Sequence, residues 1–422
     1  MKDVLAIVLA GGAGERLYPL TRHRAKPAVT FGGIYRLIDF TLSNCVNSCC
    51  HKVMVLVQYK SLSLSRHIRA AWNIVHTELG EFIEVIPAQK RVGEHWYLGT
   101  ADAIYQNLYA IEPEHPKYVL VLSGDHVYKM DYRDMLAFHR DAGAQMTIAA
   151  IETPLADAQR FGVLETDSAG RILGFEEKPE RPKPLPGRPD AAFVSMGVYL
   201  FDTQVLKDAC QDDADRMTSH DFAKDIIPRL VDQGRVFAYN FGTHGERGKR
   251  YWRDVGTIDS YWRANMDLVE EPAHIDLYEP EWPIRTNLPL APPAKFHCTG
   301  GGQGAGVSAS LVSAGCEIRR ARVHRSVLSP LVKVGDGAEV EECVLMHGVT
   351  VGEGARLRHV IVDKYVDIPP GAVLGHARQA DERLFQVTRG GVVVVERKTV
   401  IDPFVFVAGG EASSSMKLFG TK

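Results

Sequence analysis

The sequence predicts an α/β domain with a mostly parallel sheet covered by helices, followed by a parallel β-helix. Two observations predict this architecture. In residues 1–275, short runs rich in Val, Ile, Leu and Met alternate with segments of helical apolar spacing, as in parallel sheets covered on both faces. Beyond residue 311, apolar residues recur at a fixed period, which is typical of stacked coils. The predicted units are a first domain over 1–275, a linker over 276–305 and a β-helix domain over 306–422.

The first domain contains runs of strand length and segments of helical spacing in alternation. The predicted parallel strands cover residues 4–10, 53–58, 119–123 and 146–151. The predicted helices cover residues 61–72, 101–111 and 131–141, the last with Asp131 as its N-cap. Three later runs, over 162–166, 171–176 and 196–201, indicate antiparallel additions to the sheet, and residues 167–170 (DSAG) provide a turn between the first two.

The sequence pattern changes after a proline-rich connection, and the new pattern predicts the β-helix. Five prolines within residues 279–293 exclude a regular helix or a central strand there. Three apolar series then repeat every 17 residues: Val323, Val340, Leu357 and Leu374; Val334, Val351 and Ile368; Leu328, Leu345 and Val362. About four such coils make a short β-helix, so we expect one end to be capped or paired with another subunit.

Composition excludes several classes of protein. The 422 residues are 45% hydrophobic and 24% charged, with a formal net charge of −3, which disfavours a general polycation for nucleic acid or a membrane surface. Seven cysteines without a C-x-x-C pair argue against a secreted disulfide framework and for the reducing cytoplasm. No apolar run approaches the ~20 residues of a membrane helix. We therefore expect a cytoplasmic, multidomain enzyme without nucleic-acid or membrane partners.

A glycine-rich loop follows the first predicted strand. Gly12 and Gly14 of residues 9–17 (LAGGAGERL) match the start of a dinucleotide fingerprint, but Leu17 stands where its third glycine belongs, and there is no Walker A lysine. Backbone N–H groups at a strand end still bind anions well. Arg16 and Lys26 would add charge for a polyphosphate; the alternative is a tight strand-to-helix turn with solvated basic residues.

Acidic side chains suggest a metal site. Asp125 follows the strand over 119–123, where ligands sit in open α/β sheets, and Mg²⁺ prefers one or two carboxylates plus phosphate oxygens. If Asp254 converges with Asp125, one ion could bridge them to a triphosphate; a structural aspartate capping a helix is the alternative. Asp213 and Asp215 form a D-x-D pattern, which we interpret as a solvated turn.

Further motifs point to a sugar phosphate. Lys178 could pair with a phosphate while Glu177 accepts hydrogen bonds from hydroxyls, although a Glu-Lys-Pro strand exit is usually solvated. Tyr97 could stack on a base or line a sugar pocket, with core packing as the alternative. Neither H-E-x-x-H nor G-x-S-x-G occurs, so no common zinc or serine-nucleophile motif competes with this interpretation.

Together these segments resemble bacterial glucose-1-phosphate adenylyltransferases (ADP-glucose pyrophosphorylases). The resemblance spans nearly the whole chain and is carried by residues 9–17 (LAGGAGERL), 24–27 (RAKP), 87–91 (PAQKR), 96–103 (WYLGTADA), 177–179 (EKP), 219–225 (SHDFAKD) and 251–257 (YWRDVGT). It implies a Rossmann-like, GT-A-like catalytic domain, a left-handed β-helix for regulation and oligomerisation, and a homotetramer. It also implies Mg²⁺-dependent transfer of the adenylyl group of ATP to α-D-glucose 1-phosphate for glycogen synthesis, regulated by phosphorylated metabolites.

The resemblance also implies roles for individual residues. Its catalytic residues would be Arg16, Lys26 and Asp125. Its nucleotide-binding residues would be Gly11, Gly12, Gln89, Tyr97 and Gly99. Its glucose 1-phosphate pocket would comprise Gly162, Glu177, Lys178 and Ser195. Its magnesium ligands would be Asp125 and Asp254.

One departure concerns regulation. Family members activated by glycolytic intermediates often carry Lys-Arg-Ala-Lys where this chain has His23-Arg24-Ala25-Lys26. Because histidine is only partly charged near neutrality, weak or pH-dependent activator binding is expected. Arg24, Arg36 and Arg319 could still form an inter-domain anion pocket; plain surface charge is the alternative.

Three other functions are weighed against this one. The first is a related nucleotidyltransferase that uses another nucleoside triphosphate. The second is an acyltransferase whose β-helix would present His324, His347 or His359, which the short β-helix disfavours. The third is a catalytically silent regulatory subunit, against which the intact Arg16 and Lys178 argue.

Overall fold

A computed structural model describes residues 1–243, 250–297 and 306–401. The strands before the β-helix are β1 Val4–Leu9, β2 Thr30–Phe31, β3 Tyr35–Arg36, β4 Lys52–Val57, β5 Phe82–Pro87, β6 Tyr118–Ser123, β7 His126–Tyr128, β8 Met146–Pro154, β9 Gly162–Thr166, β10 Ile172–Glu177, β11 Ala191–Asp202, β12 Val236–Asn240 and β13 Trp252–Asp254. The helices are α1 Leu37–Asn47, α2 Leu62–Ala71, α3 Thr100–Tyr105, α4 Leu108–Ile111, α5 Tyr132–Asp141, α6 Leu155–Ala158, α7 Thr203–Ala214, α8 Ile227–Gln233 and α9 Ile258–Met266.

The main sheet has the strand order β10-β9-β11-β6-β1-β4-β5, and β8 joins β11 to β12. Strand β1 pairs in parallel with β4 and β6, whereas β9, β10 and β11 pair antiparallel. The mostly parallel α/β prediction and its antiparallel additions are confirmed. Asp131 caps α5 as expected, accepting a hydrogen bond from the Arg133 N–H. The helix expected over 101–111 is instead two helices, α3 and α4.

The near-continuous apolar strands serve two cores. Along β1, Val4, Ala6 and Val8 pack into one cluster, whereas Leu5 and Ile7 pack into another. Successive side chains of a strand point to opposite faces. Each face of the sheet therefore has its own hydrophobic core, and this is why the strand sequence shows no polar alternation.

The second unit is a parallel β-helix with three faces. Its elements are β14 Lys295–His297, β15 Gly306–Ser308, β16 Leu311–Val312, β17 Glu317–Arg319, β18 Arg322–His324, β19 Val327–Leu328, β20 Lys333–Val334, β21 Glu339–Glu341, β22 Val344–Leu345, β23 Thr350–Val351, β24 Arg356–Arg358, β25 Val360–Val362, β26 Asp367–Ile368, β27 Val373–Leu374, α10 Arg378–Leu384, β28 Gln386–Val387 and β29 Val393–Val395. Val323, Val340, Leu357 and Leu374 are register partners, as the period predicts.

The β-helix begins before the predicted boundary and is held against the first domain. Strand β14 pairs with β17 about ten residues before position 306. The predicted linker is also partly packed on the first domain, because the Trp282 indole donates to the Asn44 side chain. At the end of the last coil, the Asp381 carboxylate of α10 accepts from the Gly375 N–H. No described helix is long and apolar enough to cross a membrane.

Candidate active site

A cleft of about 940 Å³ opens at the carboxyl ends of β1 and β6. One wall is the loop after β1, and the opposite wall is formed by β9, β10 and β11. Every residue that the sequence assigned to catalysis, substrate or metal lines this cleft except Gln89. The structure therefore gathers these residues from across the first domain into one site, as expected for ligands at strand ends.

The glycine-rich loop leaves β1 with its backbone held close to neighbouring strands. The Ala10 N–H donates to the Leu56 carbonyl, and Gly14 adopts a left-handed conformation with φ of 68° before the short helix Glu15–Leu17. A Cβ on Gly12 would meet nothing within 4 Å, so this glycine faces open space. The loop can thus present backbone N–H groups to an anion, with the exposed Arg16 beside it.

Two distant aspartates converge on one lysine. The Lys26 ammonium lies 2.6 Å from Asp125 and 3.3 Å from Asp254. Asp125 follows β6, whereas Asp254 ends β13, and antiparallel pairing of β13 with β7 places Asp254 opposite His126. Oxygen or nitrogen atoms of Asp125, His126 and Asp254 all lie within 4.8 Å of one another. These three residues are therefore a candidate set of metal ligands.

Strong electrostatic coupling keeps this centre charged. Burial alone would raise the pKa of Asp125, but the Lys26 ammonium, His126 and hydrogen bonds from Lys26 and Ser123 hold it far below its usual range. Burial likewise opposes the charge of Lys26, yet the two carboxylates raise the pKa of this lysine. Asp125 therefore remains an anion at any physiological pH and can serve as a ligand without first losing a proton.

The opposite wall carries the residues assigned to the sugar phosphate. Gly162 and Glu177 are register partners across β9 and β10, and a Cβ on Gly162 would lie 2.4 Å from the Phe175 ring. Lys178 has φ of 51°, a left-handed conformation unusual for lysine, and its ammonium contacts Glu177. Such strain persists where surrounding structure holds it, commonly at ligand sites. Ser195 lies on β11 where its pairing with β8 is irregular, and its side chain is buried.

Four of the five residues assigned to the nucleotide line the cleft, namely Gly11, Gly12, Tyr97 and Gly99, and Gln89 does not. The Tyr97 N–H donates to the Gln58 side chain, and its hydroxyl accepts from Asn107. A Cβ on Gly99 would lie only 2.2 Å from the His220 carbonyl oxygen, so this position must be glycine. Gln89 is exposed beyond the end of β5 and does not line the cleft.

A buried hydrogen-bond cluster around Asp213, which we call the brace, was not predicted from the sequence. Asp213 is 1% exposed, not part of a solvated turn, and accepts hydrogen bonds from Arg229, Thr218 and His220. Burial of a carboxylate demands such partners. The brace holds the segment that brings Asp221 to the cleft, where Asp221 accepts from the Thr100 hydroxyl. In the sequence, only the SHDF motif pointed to this segment, and the motif alone gave no role for Asp221.

The residues assigned to regulation only partly converge. Arg24 is buried between the domains and donates to both carboxylate oxygens of Asp363 at 2.7 and 2.6 Å. Burial, then Arg36 and Arg24, lower the pKa of Lys364 to about 7. His23 is exposed at the edge of this inter-domain cluster. Arg319 is exposed and contacts Glu317 on its own strand; within the described residues no hydrogen bond joins it to the cluster.

The β-helix histidines proposed for acyl transfer have structural surroundings. The His359 ring packs 4.0 Å from that of Trp262 at the domain interface. His324 contacts Ser308, and His347 packs against Tyr365. Within the described residues, the contacts of these three histidines are structural, and none of them forms part of a site for an acyl acceptor. The acyltransferase alternative therefore gains no support.

Comparisons with known proteins agree with this geometry. Residues 5–271 match a family described as nucleotidyl transferase, and residues 292–395 match the GlmU-like C-terminal hexapeptide family. The second match confirms a β-helix of the left-handed hexapeptide type. The chain is 48% identical over 94% of its length to a glucose-1-phosphate adenylyltransferase of Koribacter versatilis, covering 96% of that protein. It is also 48% identical to an enzyme of the same name from Methylococcus capsulatus, covering 93% of each chain.

Proposed function

Because the chain belongs to the glucose-1-phosphate adenylyltransferases, we propose that its cleft transfers the adenylyl group of ATP to glucose 1-phosphate and releases pyrophosphate. The observation that carries this proposal is the meeting of Asp125, Lys26 and Asp254 between the glycine-rich loop and the Glu177–Lys178 wall. A triphosphate at the first wall and a sugar phosphate at the second would face each other across the two aspartates.

The reaction requires alignment and charge neutralisation rather than a covalent enzyme group. An oxygen of the sugar phosphate attacks the α-phosphorus of ATP, the new P–O bond forms, and the bond to pyrophosphate breaks. Backbone N–H groups of the loop after β1 and the Arg16 guanidinium would hold the leaving pyrophosphate. Lys178 would offset the repulsion between the attacking phosphate and the triphosphate, while Glu177 would accept from the sugar hydroxyls.

The chemistry of the donor set fits a magnesium ion. Asp125 and Asp254 offer hard carboxylate oxygens beside the Lys26 ammonium, with room in the cleft for phosphate oxygens. Mg²⁺ prefers this combination of one or two carboxylates with substrate phosphates. When bound, the ion would neutralise charge on the reacting phosphate. Asp125 and Asp254 would hold it, and Lys26 would turn towards the triphosphate.

Phosphorylated effectors would bind the inter-domain cluster. Arg36, Lys364 and Arg397 add positive charge around the Arg24–Asp363 pair, and Lys364 is half-buried. Cations gathered in excess of their acidic partners are suited to an anion. Only Ala25 separates Arg24 from Lys26, so an anion there would act on the segment that carries the catalytic lysine.

Assembly, pathway and location are extensions of the same proposal. Among the described strands, β26 and β27 lie at the edges of their sheets and are each paired on one side only, and open edges of this kind invite pairing with another subunit. A homotetramer is the assembly expected, and glycogen synthesis the pathway served. The six cysteines in the described residues are free thiols, which suits the cytoplasm.

A pyrophosphate-release assay tests the proposed reaction. Glucose 1-phosphate is supplied with ATP, UTP, dTTP or GTP in turn, with and without Mg²⁺ and with candidate phosphorylated effectors. We expect release to be fastest with ATP and to require the divalent ion. Equal rates with all four nucleotides would favour the broader nucleotidyltransferase, and no release with any of them would favour a silent subunit. Light scattering measures the oligomeric state of the same preparation.

A further inference from the structure

A fourth cation lines the cleft and has no assigned role. Besides Arg16, Lys26 and Lys178, the lining includes Arg160, an exposed residue between α6 and β9. Lys26 contacts two aspartates and Lys178 contacts Glu177. Among the residues that the structure describes, the Arg160 guanidinium has no hydrogen bond or ion pair.

Strand pairing places Arg160 beside Lys178. Gly162 lies opposite Glu177, and one step further the Lys178 N–H donates to the Phe161 carbonyl at 3.0 Å. Arg160 immediately precedes Phe161, so Arg160 and Lys178 leave the same end of the β9–β10 pair. This hydrogen bond places Lys178 next to Phe161, one position from Arg160. Arg160 and Lys178 both line the cleft, and their long side chains are suited to reach one phosphate there.

The charge balance of this wall favours an anion. Lys178 is neutralised by Glu177, and Asp221 accepts from the Thr100 hydroxyl and from backbone N–H groups. Among the described residues, Arg160 is therefore the cation of this wall without an acidic partner, and an unpaired cation in a cleft attracts an anion. The Phe161 ring packs 5.2 Å from that of Trp252, which fixes the chain next to Arg160. An arginine held there offers a planar fork suited to bidentate contact with phosphate.

We propose that Arg160 is a second phosphate-binding residue for glucose 1-phosphate, acting with Lys178 on the phosphoryl group that attacks ATP. This inference rests on the proposed reaction, because that reaction brings a sugar phosphate to this wall. Lys178 supplies one point charge, whereas a doubly charged phosphate presents three terminal oxygens. The guanidinium would take two of them and leave the attacking oxygen free.

Steady-state kinetics of Arg160→Ala, with Arg181→Ala as the matched control, test the assignment. Arg181 is also an exposed arginine near this wall, but it does not line the cleft. Loss of a charge-assisted hydrogen bond should raise the KM for glucose 1-phosphate roughly 10- to 100-fold, with the KM for ATP changed by less than about twofold. Arg160→Lys should give a smaller rise, and Arg181→Ala none. Thermal unfolding should show the same midpoint for all four proteins.

A second sugar phosphate as adenylyl acceptor tells whether Arg160 contacts the phosphate or the sugar. Glucose 1-phosphate and galactose 1-phosphate share the phosphoryl group, so Arg160→Ala should lower kcat/KM for both by the same factor. A changed preference between the two sugars, or an unchanged KM for glucose 1-phosphate, would overturn the assignment. Activity of the wild-type enzyme tests the proposed reaction separately. Equilibrium dialysis with radiolabelled glucose 1-phosphate compares wild type and variant even without turnover, and equal binding would also overturn it.

Discussion

Replacing Asp125 by asparagine removes one of the two negative charges that face the reacting phosphates while keeping the shape of the side chain. Its carboxylate lies 2.6 Å from the Lys26 ammonium and accepts from the Ser123 hydroxyl. A unit charge interaction over 4 Å amounts to about 4 kcal/mol at an effective dielectric constant of about 20. Loss of one electrostatic group that acts in a transition state typically costs about 10²–10³-fold in kcat. We therefore expect kcat to fall by about that factor.

The KM values should change much less, because the ion interacts most strongly as charge develops during the reaction. The assay is pyrophosphate release at saturating Mg²⁺, and Mn²⁺ binding followed by electron paramagnetic resonance gives a readout independent of turnover. Asp212→Asn, an exposed aspartate outside the cleft, is the control. Because Asp125 and Asp254 would share one ion, the double variant should lose less than the product of the two single losses. Near-normal turnover of Asp125→Asn would refute this reasoning.

Three further predictions follow from contacts of single residues. Lys178→Ala should raise the KM for glucose 1-phosphate roughly 10- to 100-fold in initial-rate assays; an equal rise for ATP would contradict its assignment to the sugar phosphate. Asp363→Asn should lower the free energy of unfolding in urea by about 3–5 kcal/mol, because Arg24 would stay buried without its partner; a loss below about 1 kcal/mol would count against the pair. Lys364, whose pKa is about 7, gains its proton as the pH falls, so calorimetric sulfate affinity should rise between pH 8 and 6, and Lys364→Arg should abolish this dependence.

Elements with a local signal were predicted well from the sequence. The Val323 and Val334 series are in register at the predicted period, because each coil repeats the same local pattern of inward side chains. The seven strands predicted before the β-helix correspond to β1, β4, β6 and β8–β11 and agree within one to three residues at most of their ends, whereas β5 and β12 of the main sheet were not predicted. The resemblance assigned Gly162, Glu177, Lys178 and Ser195 to one pocket, and in the structure these four residues line one wall of the cleft. Their roles stay predictions.

Features that depend on distant pairing were missed or misjudged. Asp213 was interpreted as solvated, yet it is buried, since His220 and Arg229 approach it only in the folded chain. Arg160 was not considered, because the hydrogen bond from the Lys178 N–H to the Phe161 carbonyl, which brings Arg160 near Lys178, forms only when β9 and β10 pair. Gln89 lies outside the cleft lining, and its assignment to the nucleotide stays a prediction.

Apolar periodicity and short motifs are local properties of a chain, and they were enough to predict the two-part architecture, the glycine-rich loop and the family. The sharing of Lys26 by Asp125 and Asp254, and the link from Arg24 to the β-helix through Asp363, became visible in the folded chain alone. These contacts arise where strands and domains pack together, and their partners are far apart in the chain. Charged groups at these packed surfaces lose contact with water, and pairing with an opposite charge offsets that loss.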